Sequence, residues 1–123
     1  MKNVFVYGTL MRGERAARML SEGNYKGEYV LKDYAMYDLG PFPGIKEKPG
    51  EKVLGEVFEV SDSVIPQLDA YEGEGDLYKR IPVSVESDKQ SLEDVLVYVY
   101  LGNCQGEVVR TKWNAYKRTR RHQ

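Results

Sequence analysis

Apolar positions fall into short runs broken by glycine, proline and acidic residues. Val4-Phe5-Val6-Tyr7 is an apolar, β-rich run stopped by Gly8, the signature of a buried strand. Residues 12–20, RGERAARML, set Ala16, Ala17, Met19 and Leu20 as an apolar stripe among charges, which predicts a short helix. Residues 27–39 are rich in β-formers and predict one or two strands, with a loop at the P-F-P-G of 41–44. Residues 53–60, VLGEVFEV, alternate as a strand does. Ser61, Asp62 and Ser63 then offer N-caps for a helix running to about Glu72, with Pro66 tolerated in its first turn. After the polar turn G-E-G-D come two more strands, 77–86 and 94–101. The second, nearly all apolar or aromatic, predicts a central position in a sheet. Strands outnumber short helices, so the pattern predicts an α+β domain built on a curved sheet or small mixed β-barrel with short flanking helices.

Composition narrows the chemistry. A chain of 123 residues without repeats or low-complexity blocks fits a single domain, placed at 1–116 and followed by a basic, frayed tail over 117–123. One Cys, Cys104, forms no internal disulfide and suits a reducing compartment. With no membrane-length apolar run and no secretory signal pattern, the expectation is a soluble cytoplasmic protein with no membrane partner. One His and one Cys exclude an ordinary Cys/His zinc site. A Cys104–His122 pair is discounted because His122 is the penultimate residue, and no G-x-S-x-G occurs. No standard cofactor fingerprint is present, so proton chemistry falls to carboxylates, Tyr, Lys or the backbone. Charge is uneven: residues 110–123 hold 6 of the 18 basic residues and no acid, leaving 12 basic against 19 acidic residues before them. A solvated chain end is the expectation for that tail, over nucleic-acid contact, since no binding module accompanies it.

Two places invite a functional reading. On a helical wheel with Val64 at zero, Tyr71, Leu68 and Ile65 fall at roughly −20°, 40° and 100°, and Glu72 at roughly 80° lies inside that apolar arc. A carboxylate there loses hydration and binds a proton more readily, as a general base and acid requires. Glu72 also precedes Gly73 at the end of the helix, so periodicity alone leaves open that it reaches water. The second place is Tyr7-Gly8-Thr9-Leu10, a strand-to-loop junction where glycine at positive φ lets successive N–H groups face one concavity and seat an anion. An ordinary turn is the alternative. Glu14 follows Gly13 where a phosphate loop carries Lys, which disfavours nucleotide hydrolysis. The ten tyrosines read mostly as sheet packing.

Taken in order, V-F-V-Y-G-T-L at 4–10, G-E-V-F-E-V at 55–60, L-D-A-Y-E-G at 68–73 and L-Y-K-R at 77–80 resemble the γ-glutamylcyclotransferase-like family, with greatest likeness to its γ-glutamylamine cyclotransferase branch. The resemblance spans about residues 3–101. It implies a small β-barrel with short flanking helices and release of 5-oxoproline from a small-molecule γ-glutamyl amide. It implies Glu72 as the catalytic carboxylate and the backbone of Tyr7, Gly8, Thr9 and Leu10 as the seat of the glutamyl part. It also implies that Tyr78 lies near the site and that no metal or cofactor is needed. Members acting on glutathione-like dipeptides commonly carry Y-G-S-N-L at the loop. Its replacement here by Y-G-T-L points to γ-glutamylamines or another γ-glutamyl amide. A non-catalytic module that binds a small carboxylate on the same fold is the alternative.

Overall fold

The computed structural model describes residues 1–120. Six strands run in chain order: β1 (Lys2–Val6), β2 (Asn24–Asp38), β3 (Pro43–Val60), β4 (Tyr78–Glu86), β5 (Ser91–Tyr100) and β6 (Val108–Val109). Two α-helices, α1 (Ile65–Glu72) and α2 (Trp113–Arg120), complete the fold with two short 3-10 segments, Ala17–Leu20 and Asp62–Val64. The sheet order β3-β1-β5-β4-β2 returns to β3 through the β2–β3 pairing, so five strands close into a mixed barrel, with β6 added on β2. Among the described strands, β1 and β5 are the one pair that runs parallel, meeting at Val4 and Leu96. Closure removes the exposed edges that a five-stranded open sheet would carry. The interior holds Val4, Met36, Ile45, Val53, Val57, Val95 and Val97, all inaccessible to solvent.

The barrel with short helices is the architecture expected, and β5 lies between β1 and β4 as a central strand should. Three local expectations are corrected. The 12–20 stretch is a run of turns that becomes 3-10 helical only at Ala17–Leu20, because Gly13 takes φ +83° and Thr9 accepts the N–H of Ala16, which redirects the chain before a helical turn can close. The 27–60 region is one long hairpin, in which Pro43 already starts β3 and the loop is confined to Leu39–Phe42. Its Pro49-Gly50 pair does not end the strand. A bulge at Asp33 (φ +65°) absorbs it, and the Asp33 carboxylate accepts the Gly50 N–H at 3.0 Å. Finally, residues 117–120, expected to fray, continue α2. Trp113 is fully buried, Tyr116 donates to Asp38 at 2.9 Å, and Lys117 is ion-paired with Glu14. Residues 121–123 of the expected tail, His122 included, lie outside the described residues. Among those described, no helix is long and apolar enough to cross a membrane.

Candidate active site

One wall of the site follows directly from β1. The strand buries Val4, Phe5 and Val6, and the chain leaves the barrel at Tyr7, whose buried hydroxyl donates to the Tyr98 carbonyl at 2.6 Å. Gly8 packs against Pro43, and a Cβ at Gly8 would come within 2.8 Å of the proline ring. Gly8 is therefore required by close approach. The positive φ expected there belongs instead to Gly13. The turn closes with Met11 N–H on the Gly8 carbonyl, at 3.1 Å, and among the described residues the backbone hydrogen bonds of the turns and loops do not use the N–H groups of Gly8, Thr9 and Leu10. Beyond it, buried Glu56 on β3 accepts the Arg12 N–H at 2.9 Å, while the Arg12 guanidinium lies 3.7 Å over the Tyr25 ring. Both ends of the turn are thus tied to the barrel.

The opposite wall is α1. Its first turn accommodates Pro66, where a missing N–H costs nothing, and Ile65 and Leu68 anchor it in the core. Gly73 at φ +65° ends it, with the Glu74 N–H returning to the Asp69 carbonyl at 3.0 Å. Glu72 therefore sits in the last turn, where the exposed carbonyls of the helix disfavour added negative charge. Its partly buried carboxyl has no hydrogen bond or ion pair among the described residues, and burial pushes its pKa up to about 7. Tyr71, expected inside the apolar arc, is 41% exposed at the rim, with its hydroxyl 2.6 Å from Thr9 Oγ1. The apolar arc of the wheel spans both the core and the cavity opening, so angle alone does not separate them.

Between these walls lies a cavity of about 210 Å³. Tyr7, Gly8, Thr9, Leu10, Glu72 and Tyr78 all line it, so the six residues singled out from sequence converge on one space. Tyr78 donates to the Pro43 carbonyl at 2.7 Å. Burial, and secondarily the charge of Glu72, raises the pKa of Tyr78, and burial likewise raises that of Tyr7. These phenols stay protonated and act as donors at working pH. Of the cavity groups with a displaced pKa, Glu72 alone is brought near neutrality.

The gamma-glutamyl cyclotransferase, AIG2-like family pattern matches residues 4–117. The chain belongs to that family. A Vibrio cholerae protein is 41% identical over 78 residues, 63% of this chain and 67% of that one. A Methanocaldococcus jannaschii protein is 33% identical over 107 residues, 85% of this chain and 88% of that one. Both bear the provisional name gamma-glutamylcyclotransferase. In structure, a Pyrococcus horikoshii protein of uncharacterised function superposes with a TM-score of 0.78 over 99% of this chain and 97% of its own, at 20% identity, which speaks to the fold.

In this family member, several cavity residues escaped sequence reading. Arg15, Phe42, Pro43, Leu77 and Tyr98 line the same space from four different segments. Phe42 and Pro43 were hidden in a run read as a loop, and Tyr98 in a strand read as packing. Barrel closure brings them to the cavity that Glu72 also lines.

Proposed function

We propose that the protein is a γ-glutamyl amide cyclotransferase in which Glu72 serves as general base and then as general acid. The observation that carries this reading is the bare, desolvated carboxyl of Glu72 facing the Tyr7–Leu10 turn across one cavity. The substrate's α-amine is the nucleophile, and it is inert while protonated. The Glu72 carboxylate accepts its proton, and the amine nitrogen attacks the γ-carbonyl carbon to give a tetrahedral intermediate. As the intermediate collapses, the bond from that carbon to the amide nitrogen breaks, Glu72 returns the proton to the departing nitrogen, and the ring nitrogen gives up its second proton, which the released amine takes up at neutral pH. The products are 5-oxoproline and a free amine. Nucleophile and electrophile share one chain, so holding the substrate curled supplies much of the rate enhancement. The N–H groups of Gly8, Thr9 and Leu10 are the donors for the substrate's α-carboxylate or the developing oxyanion, and protonated Tyr7 and Tyr78 shape the floor. The scheme calls on no metal or cofactor, and the Y-G-T-L loop favours γ-glutamylamines or a related γ-glutamyl amide. A soluble cytoplasmic setting suits it.

The test is 5-oxoproline release, followed by mass spectrometry, from a panel of γ-glutamyl amides. Glu72→Gln keeps the shape and removes the proton acceptor, so turnover should fall about 100- to 10,000-fold with the fold intact. Undiminished turnover in that variant removes Glu72 from the reaction. No 5-oxoproline from any amide in the panel removes the enzyme reading in favour of a carboxylate-binding module.

A further inference from the structure

We propose that Asp69, Arg80 and Tyr98 form a clamp of positioning residues that sets how deeply the Glu72 carboxyl enters the cavity and holds it in register with the Tyr7–Leu10 turn. The idea builds on the role given to Glu72 above, but it stands on its own geometry. Helix α1 has only eight residues and buries only Ile65 and Leu68, a small apolar anchor for an element that must aim a side chain. What completes the anchor is polar. Asp69 lies one helical turn before Glu72, and both of its carboxylate oxygens are occupied. One receives the Tyr98 hydroxyl at 2.7 Å and the other the Arg80 guanidinium. Burial opposes the charge on Asp69, but these two hydrogen bonds and the Arg80 charge prevail and hold its pKa below the usual aspartate value.

The two partners are directly opposite each other on neighbouring strands, Arg80 on β4 facing Tyr98 on β5. Each also reaches a second part of the site. The backbone N–H of Arg80 donates to the Glu74 carboxylate at 3.1 Å, so Arg80 grips the chain on both sides of Glu72. The backbone carbonyl of Tyr98 accepts the Tyr7 hydroxyl at 2.6 Å, at the root of the turn that carries the backbone donors. A single cross-strand pair therefore connects both walls of the cavity. Asp69 and Arg80 fall in the L-D-A-Y-E-G and L-Y-K-R segments noted in the sequence, which the pairing joins.

The decisive variant is Tyr98→Phe, which removes one hydroxyl and no charge. Its backbone carbonyl still holds Tyr7. Asp69→Asn is the companion, although it also removes a negative charge close to Glu72. The other titratable groups lining the cavity with Glu72 are Tyr7 from the turn, Tyr78 from β4, Tyr98 from β5, Tyr71 on its own helix and Arg15 from the turn region; Tyr7 and Tyr78 feel the charge of Glu72, and Cys104 acts on both. None of these is altered in charge by Tyr98→Phe. The expected result is a fall in kcat of at least about tenfold with KM changed less than threefold. The Glu72 carboxyl, followed by NMR with a ¹³C-carboxyl label and assigned by its disappearance in Glu72→Gln, should titrate lower than in the wild type as water reaches it. Arg80→Lys should recover more of kcat than Arg80→Gln. The clamp is overturned if Tyr98→Phe and Asp69→Asn fold with the wild-type Glu72 titration. Should Asp69→Asn fail to fold, Tyr98→Phe decides alone. The NMR titration needs no turnover, so a wild type that releases no 5-oxoproline refutes the proposed function while the clamp is still decided.

Discussion

Asp69 and Glu72 are carboxylates three residues apart on one short helix, yet their surroundings are opposite. Asp69 has a donor on each oxygen and an arginine beside it, and its proton is held more weakly than in water. Glu72 has no partner among the described residues, and its proton is held more tightly. The first arrangement stabilises a charge and fixes a helix. The second leaves a group that costs stability when ionised and is therefore able to give and take a proton near neutral pH. One turn of helix thus separates a residue suited to holding structure from one suited to reaction.

That contrast can be broken by experiment. The largest effect expected is the loss of turnover in Glu72→Gln given above. Next, kcat/KM should fall on the acid side of about pH 7 by tenfold per unit, reaching about 100-fold below its plateau at pH 5, because only the carboxylate accepts the proton. A pH–rate profile flat from 5 to 8 would contradict that assignment.

The same substitution should raise stability. Glu72's pKa is near 7 when folded and near 4.5 when unfolded, so its stabilising protonation is complete below pH 4.5 and lost as pH rises through about 7. Relative to wild type, Glu72→Gln should gain up to about 3 kcal/mol at pH 8 and little at pH 4, measured by urea unfolding at both. Asp69→Ala should move the other way, losing about 1–3 kcal/mol at pH 7 by stripping Arg80 and Tyr98 of their acceptor. Asp69's contribution has the opposite pH window: present above the unfolded pKa near 3.8, and lost as pH falls through its lower folded value. Equal signs for the two variants at pH 8 would erase the distinction. The smallest effect is that of Tyr71→Phe, below about 1 kcal/mol, since its bond to Thr9 lies at an exposed rim.

Much of this was readable from the chain itself. The alternation in 53–60, the apolar run of β5 and the Ser61–Glu72 segment with its capping serine and early proline carry local signals, and each appears as an element in place. The 12–20 stretch misled because its apolar stripe ignores Gly13, whose left-handed backbone interrupts the helix. The β2–β3 hairpin was longer than read because a bulge at Asp33 tolerates a proline-glycine pair that normally marks an end. Of the residues that line the cavity, those grouped in short motifs were legible locally, whereas Arg15, Phe42, Pro43 and Tyr98 come together only through packing between distant parts of the chain, which no local window contains.

The parallel contact of β1 with β5 joins Val4 to Leu96. β1, already paired with β3, therefore waits for β5, far later in the chain, before it gains its second neighbour, and the turn that follows it has no opposite wall until α1 and β4 are also in place. Assembly of the pocket is consequently a late, long-range step of folding, slow in the way that closing large loops is slow. A nascent chain ending before β5 would carry the Glu72 side chain without the enclosure that tunes it.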